Sequence, residues 1–318
     1  MIEADTEEKR QEIAEKTLAE KAELARETVR EALERHDPAD TVIGFTGGKD
    51  STLTAYFVKE VCEEEGYDKP TFMFVDHGQH FDEIQEFVER ISTHWGFDVL
   101  TARNDDLIEK ADEPGDMVPV DELNERNRAE VERLDEEYVE VPWLMDTEAG
   151  NHLLKTVAMN DLLEARGIDA VINGVRWDEQ EARADETFFS PRDEPEHVRV
   201  HPILPFTERD VWDFTWNHIV PEEVDAYEGG MPEGADDLPD GVSRDDLPIS
   251  PKYWEGFRSL GSEVSTDSSG QDPAWMQDLE GTEERAGRAQ DKEGVMDRLR
   301  DLGYMAVPAG LMLFPLLP

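Results

Sequence analysis

Thr46-Gly47-Gly48-Lys49-Asp50-Ser51 sets two hydroxyls, an ammonium and a carboxylate around a glycine pair. Glycines let a backbone turn tightly and approach a ligand, and the free N–H groups of a following helix point at whatever sits above them. Phosphate is the expected guest, and a tight turn that only links strand to helix is the plain alternative. The dinucleotide pattern G-x-G-x-x-G is absent. So is G-x-x-x-x-G-K-[ST], because Lys49 is followed by Asp50 and Ile43 stands five before Gly48. A second chemical stretch is Gly174-Val175-Arg176-Trp177-Asp178-Glu179-Gln180-Glu181-Ala182-Arg183. A guanidinium stays charged and grips oxyanions with two parallel donors, which makes Arg176 and Arg183 candidate anion binders. In so acidic a chain they are alternatively partners for nearby carboxylates.

The flanking segments show how a fold would present these residues. Thr41 to Phe45 forms a β-branched and aromatic run, and a helix-compatible stretch follows from about 51 to 65. Thr71 to Val75 predicts a second buried strand, stopping at Asp76-His77-Gly78-Gln79-His80-Phe81-Asp82-Glu83. Ligand groups gather beyond the carboxyl ends of strands in an open α/β sheet, so Asp76 is expected near the glycine loop. His77 and His80 lack a third metal ligand nearby and form a polar loop pair. A helix near 82–95 leads to a third strand at Phe97 to Leu100. A helix opened by His152 and carrying Lys155-Thr156 leads to strand Ala170 to Asn173, with Gly174 directly after it. The alternation predicts an α/β fold with an open, mostly parallel twisted sheet and helices on both faces.

Around that core lie an N-terminal helical extension (1–38), the nucleotide-binding α/β unit (39–225) and a C-terminal tail (226–318) folding back on the site. Residues 5–36 carry apolar positions at loosely helical spacing, suited to packing on the core or to an oligomer seam. Residues 103–141 form a peripheral acidic insertion with a helical stretch at 121–138. Thr207 is placed to cap a helix with Asp210 at its third position. Residues 228–248, rich in Gly, Pro and Asp, form a loop or flap, and the apolar 306–318 is too short to span a bilayer.

The balance of 31 Lys+Arg against 78 Asp+Glu gives a net charge of −47, which argues against a general nucleic-acid or anionic-membrane binder. Disorder would also explain such charge, yet 38% hydrophobic residues, seven Trp and thirteen Phe favour a folded chain. The composition predicts a protein adapted to molar salt, where the Debye length falls to about 3 Å. Its melting temperature is expected to drop sharply when molar KCl is removed. An unchanged value would refute this. Cys62, the single cysteine, excludes an internal disulfide or a cysteine cluster and suits a packed thiol. No secretory signal opens the chain and no apolar run could span a bilayer, so cytoplasmic residence is expected.

The glycine loop resembles the S-G-G-x-D-S loop of the PP-loop ATP pyrophosphatases, with Thr46 in the first serine position. Asp76, Gly78, Phe81 and Glu83 resemble the D-T-G-x-x-F-x-E element of the branch holding the small subunit of sulfate adenylyltransferase and the phosphoadenylyl-sulfate reductases, with His77 replacing threonine. Gly174 to Arg183 resembles the small subunit's G-A-R-R-D-E-x-x-x-R, with Trp177 at the second arginine. Phe257-Arg258-Ser259-Leu260-Gly261-Ser262 and Glu284-Arg285-Ala286-Gly287-Arg288 resemble its R-x-L-G-C and E-R-x-G-R segments, with Ser262 replacing cysteine. The resemblance implies an adenine nucleotide alpha hydrolase-like fold that binds ATP and Mg²⁺ on Thr46, Gly47, Gly48, Lys49, Asp50 and Ser51, with Asp50 holding the metal. Asp76, Gly174, Arg285 and Arg288 complete the nucleotide site, and Lys49, Asp50, Arg176 and Arg183 carry catalysis. The implied reaction joins ATP and sulfate into adenylyl sulfate and pyrophosphate, driven by a separate GTPase subunit. Three rivals stand beside it. A phosphoadenylyl- or adenylyl-sulfate reductase would need a late cysteine, and none follows Cys62. An adenylating enzyme for sulfur transfer to nucleic acid and a nucleotide-binding regulatory subunit are the others.

Overall fold

Strand β1 (Thr41–Gly44) starts from a short turn at Pro38–Asp40, where the Ala39 N–H donates to the Asp37 carboxylate at 2.9 Å. The computed structural model describes residues 6–134, 137–179, 183–268, 270–282 and 284. From β1 the chain runs through helix α1 (Glu7–Ala14) and α2 (Leu18–Arg35) behind it, and α3 (Lys49–Glu65) ahead of it. Next come β2 (Thr71–Val75), α4 (Asp82–Trp95) and β3 (Val99–Ala102). An insertion contains β4 (Met117–Pro119) paired with β5 (Glu140–Pro142), and the chain returns through β6 (Ala170–Asn173), β7 (Phe189–Asp193) and β8 (Glu196–Val200).

The main sheet has six strands in the order β3-β2-β1-β6-β8-β7. All its pairings are parallel except the edge pair of β7 with β8. Side chains alternate between two buried faces. Ile43, Phe72 and Ile172 pack with α2, α3 and α4, while Val42, Met73 and Val171 pack with Ala158 and Leu163 of the helix Ala158–Arg166. A strand covered on both sides must be apolar at successive positions, which the Val-Ile and Phe-Met-Phe runs supply. Chain direction also matters. From β1 the chain moves to β2 on one side and later reaches β6 on the other, so the crevice above β1 and β6 is a topological switch point.

Several expected elements take a different form. The single helix over 5–36 is two helices, because Thr17 makes a capping box with Glu20 and starts α2 afresh. The third strand begins at Val99, and Phe97 instead stacks on Phe72 at 4.2 Å. The β7–β8 hairpin was not anticipated. The acidic insertion has its own core of Leu107, Val118, Leu123, Val131, Val141 and Trp143, closed by Leu153 and Leu154. Its helix is shorter than 121–138, spanning Glu125–Glu132. Thr207 and Asp210 do form the expected capping box at the start of helix Glu208–Phe214. Residues 228–248 have no strand or α-helix, yet Leu247 and Ile249 join an aromatic cluster of Trp212, Trp216, Trp254 and Trp275.

Gln79 ties three segments together. Its side chain donates to Trp143 O at 3.2 Å and accepts from the Met145 N–H and the Ser262 hydroxyl, while its carbonyl accepts from the Glu263 N–H. The loop after β2 is thus anchored to both the insertion and the C-terminal segment. Among the described residues no helix is long and apolar enough to cross a membrane.

Candidate functional site

The loop after β1 turns at Gly47, whose φ of +73° lies in the left-handed region that glycine occupies without strain. Gly48 then begins α3 without any side-chain cap, which leaves the Asp50 and Ser51 N–H groups without a capping acceptor. The Thr46 and Ser51 hydroxyls approach to 3.2 Å, and Ser51 also donates to Gly48 O at 2.9 Å. The Lys49 N–H donates to the Tyr253 hydroxyl at 2.7 Å. The result is a rigid, N–H-lined turn at the end of the central strand.

Charge is concentrated beside it. Arg176, 1% exposed, donates to the Asp50 carboxylate, to Asp178 at 2.9 Å and to Glu284 at 2.5 Å. Lys49 Nζ donates to the other Glu284 oxygen at 2.6 Å and to Arg258 O at 2.9 Å, with Asp50 at 3.5 Å. Burial opposes the charged form of Lys49, but Asp50, Glu284 and Glu208 overcome it and hold the ammonium above its ordinary range. Burial likewise works against Glu284, while Arg176 and Lys49 hold its carboxyl well below the usual range. Asp50 is pushed upward by burial, with Arg176 and Lys49 acting against that shift. Two buried cations are therefore held by carboxylates at the switch point. Such cations can exchange a carboxylate for a phosphate oxygen with little change in charge pattern.

Two backbones meet here as well. A Cβ on Gly174 would lie 2.5 Å from Asp50 O and 2.6 Å from Asp50 C, so only glycine lets the β6 loop press against the start of α3. A second buried ion pair backs the first: Arg258 donates to Glu208 at 2.5 Å, and also to the Thr282 hydroxyl at 2.6 Å.

A family model described as the phosphoadenosine phosphosulfate reductase domain matches residues 40–228. The chain belongs to this family. Sulfate adenylyltransferase subunit 2 of Sulfurovum sp. (strain NBC37-1) is 26% identical, with 90% of this chain and 95% of that protein covered. The protein of the same description from Chelativorans sp. (strain BNC1) is 24% identical, covering 83% and 90%. Yeast FAD synthetase, solved with FAD, superposes with a TM-score of 0.51 at 14% identity, over 88% of this chain and 95% of that one. That likeness concerns the fold alone, the open α/β sheet.

Within this member of the reductase-domain family, the expected residues fall into four groups. Thr46, Gly47, Gly48, Lys49, Asp50, Ser51, Gly174 and Arg176 converge at the switch point. Asp76 follows the adjacent strand, but its carboxylate is engaged by Arg103 at 2.5 Å and by the Gly78 N–H at 2.9 Å. Arg183 stands apart from that group among the described residues: its Nε lies 3.9 Å from Glu179, and its charge acts on Glu186, Arg192 and Arg199. Arg285 and Arg288, with the apolar 306–318, lie outside the described residues.

Residues not anticipated as site groups are Tyr253, Glu208, Arg258 and Glu284. Arg258 and Glu284 stood within recognised segments but carried no assigned role, and Glu208 lies unnoticed between Thr207 and Asp210. Tyr253 sits in an otherwise unpatterned stretch, and nothing local in the sequence points to it.

A magnesium ion with a nucleotide needs one or two carboxylates and several phosphate oxygens rather than a protein cage. Among the described residues no cluster of three or more His, Cys, Asp or Glu forms such a cage, and Asp50 offers one carboxylate beside the loop. The donor set fits an ion carried in on the phosphates.

Proposed function

We propose that this chain binds ATP on the Gly47–Ser51 turn and transfers its adenylyl group to a small oxyanion, with sulfate as the acceptor. The observation that carries this reading is the buried pair Lys49 and Arg176, held on the Asp50 and Glu284 carboxylates above the β1–β6 crevice. In the working complex the first-turn N–H groups and Lys49 hold the leaving pyrophosphate, and Arg176 faces the charge that develops at the α phosphate. Asp50 would hold Mg²⁺, which when bound neutralises phosphate charge. The acceptor is already an anion, so no general base is required. Rate comes from positioning and from charges set in advance in a water-poor crevice.

The names of the relatives support sulfate as acceptor. Sulfate adenylation is uphill, so the reading includes a separate GTPase subunit as partner. It also includes a cytoplasm of molar salt, in keeping with the net charge of −47. Thiol-based reduction is disfavoured by a specific observation. Cys62, the single cysteine, is 2% exposed within α3, and burial pushes its thiol up to about 11. A thiol in that state is a poor nucleophile at neutral pH.

The test is exchange of labelled pyrophosphate into ATP in molar KCl, with and without sulfate. Sulfate-dependent exchange is expected, with Asp50→Ala lowering it at least about a hundredfold in protein that still folds, its melting temperature reduced because two buried cations lose a partner. Retained exchange in that variant would remove the loop from the mechanism. ATP binding without exchange, whatever the acceptor, would replace the reading with a regulatory nucleotide-binding role.

A further inference from the structure

We propose that the Tyr253 hydroxyl is a phosphate donor of the glycine loop, giving its hydrogen bond to the leaving pyrophosphate in place of the one first-turn amide that it covers. The role rests on the function proposed above and adds a residue that binds the leaving group. The Lys49, Asp50 and Ser51 N–H groups are the first-turn donors of α3, since the Thr52 N–H already bonds to Gly48 O at 2.9 Å. The Lys49 N–H donates to Tyr253 Oη at 2.7 Å, whereas those of Asp50 and Ser51 have no capping acceptor. One of the three donors is thus covered by a phenol brought from 204 residues away.

A hydroxyl that accepts from an N–H still has its own proton to give. Tyr253 is 2% exposed, so bulk water is a poor outlet for that proton. The glycine loop lies beside it. A Cβ on Gly48 would meet Thr46 Oγ1 at 3.3 Å, Tyr253 Oη at 3.4 Å and Ser51 Oγ at 4.0 Å, so three hydroxyls gather over the face that Gly48 leaves bare. Such a ring of hydroxyls can cradle a phosphate oxygen, and the amide behind the phenol polarises it and strengthens its donation. Burial pushes the phenol above its ordinary range; Lys49 opposes this, while Asp50 and Glu284 add to it. Tyr253 therefore keeps its proton at neutral pH.

The surrounding segment fixes the hydroxyl in place. Tyr253 lies in the short 3₁₀ turn Pro251–Glu255, with its ring edge-on to Trp212 at 5.0 Å between centroids. Lys252 of the same turn pairs with Glu83 at 2.8 Å, and Arg258 O, a little further on, accepts from Lys49 Nζ at 2.9 Å. One stretch of chain therefore holds both the backbone N–H and the ammonium of Lys49. A tyrosine that served only to cap α3 would compete with phosphate for the Lys49 N–H, and that opposite sign makes the two roles separable.

The test uses the full chain in molar KCl with magnesium, and calorimetry with inorganic pyrophosphate and, separately, with AMP. Tyr253→Phe keeps the ring against Trp212 and removes only the hydroxyl. It is expected to weaken pyrophosphate binding roughly tenfold to a hundredfold, the usual worth of one hydrogen bond to a charged group, and to leave AMP affinity unchanged. Pyrophosphate affinity that is unchanged or tighter in the folded variant would overturn the role, because losing a mere cap releases the Lys49 N–H to the ligand. An equal loss for pyrophosphate and AMP would overturn it as well. If Tyr253→Phe loses pyrophosphate affinity while the unaltered protein exchanges pyrophosphate with no acceptor, the donor stands and the transfer reading falls. If exchange depends on sulfate and its pyrophosphate KM ignores Tyr253, the donor falls and the reading stands.

Discussion

Arg176→Ala is expected to lower pyrophosphate exchange by roughly a hundredfold to a thousandfold, the usual cost of removing one preorganised charge at a reacting centre. The same substitution is expected to destabilise the fold by about 3–5 kcal/mol, because it strips the partner from buried carboxylates. The carboxylates so stripped are Glu284 and the partly buried Asp50, with the exposed Asp178 beside them, all within hydrogen-bond reach of one guanidinium that is 1% exposed. Arg176→Lys separates the two effects. Its ammonium restores a positive charge near Asp50 but not the planar fork that serves three acceptors at once, so stability should recover further than turnover. Denaturant melts and exchange rates on the same samples check this. Near-normal exchange by a folded Arg176→Ala protein would remove the residue from the chemistry.

Gly174→Ala is the second large effect, and its cause is backbone crowding rather than charge. The added Cβ would stand 2.5 Å from Asp50 O and 2.9 Å from Ser51 N, and neither atom can swing aside as a side-chain tip could. Either β6 or the first turn of α3 must move, and a misplacement of about 1 Å at a reacting centre can cost on the order of a hundredfold in rate. ATP affinity measured by calorimetry should fall along with exchange, and stability should drop by about 1–3 kcal/mol. Gly234→Ala is the control, since that glycine is extended at φ −165° with nothing within 4 Å of the new methyl. Full ATP affinity in Gly174→Ala would show that the two loops need not touch.

The parts legible in sequence were those set by local patterns. β-branched runs bounded by glycines located β1, β2 and β6, and the alternation of strand and helix implied a parallel sheet with covered faces. The Thr207–Asp210 capping box was readable because cap residues act over three positions. Other features depended on distant partners. Glu284 meets Lys49 across 235 residues, and Tyr253 meets it across 204, so no local spacing announces either contact. The β7–β8 hairpin escaped because Arg192, His197 and Arg199 interrupt the expected apolar pattern on one face. Arg183 was expected beside Arg176 from motif spacing alone. Arg183 instead stands 3.9 Å from Glu179 and near Glu186, apart from the Arg176 cluster.

Glu284 gives the central claim a direct readout. Its carboxylate, 8% exposed at the side chain, bridges Lys49 and Arg176 where the proposal places phosphate. A crystal structure of the full chain with α,β-methylene-ATP and magnesium in molar KCl tests this most directly. The β and γ phosphates are predicted on the first-turn N–H groups of α3 and on Lys49, with the Glu284 carboxylate displaced from both cations. A nucleotide bound elsewhere, with Glu284 still 2.6 Å from Lys49 Nζ, would contradict the account.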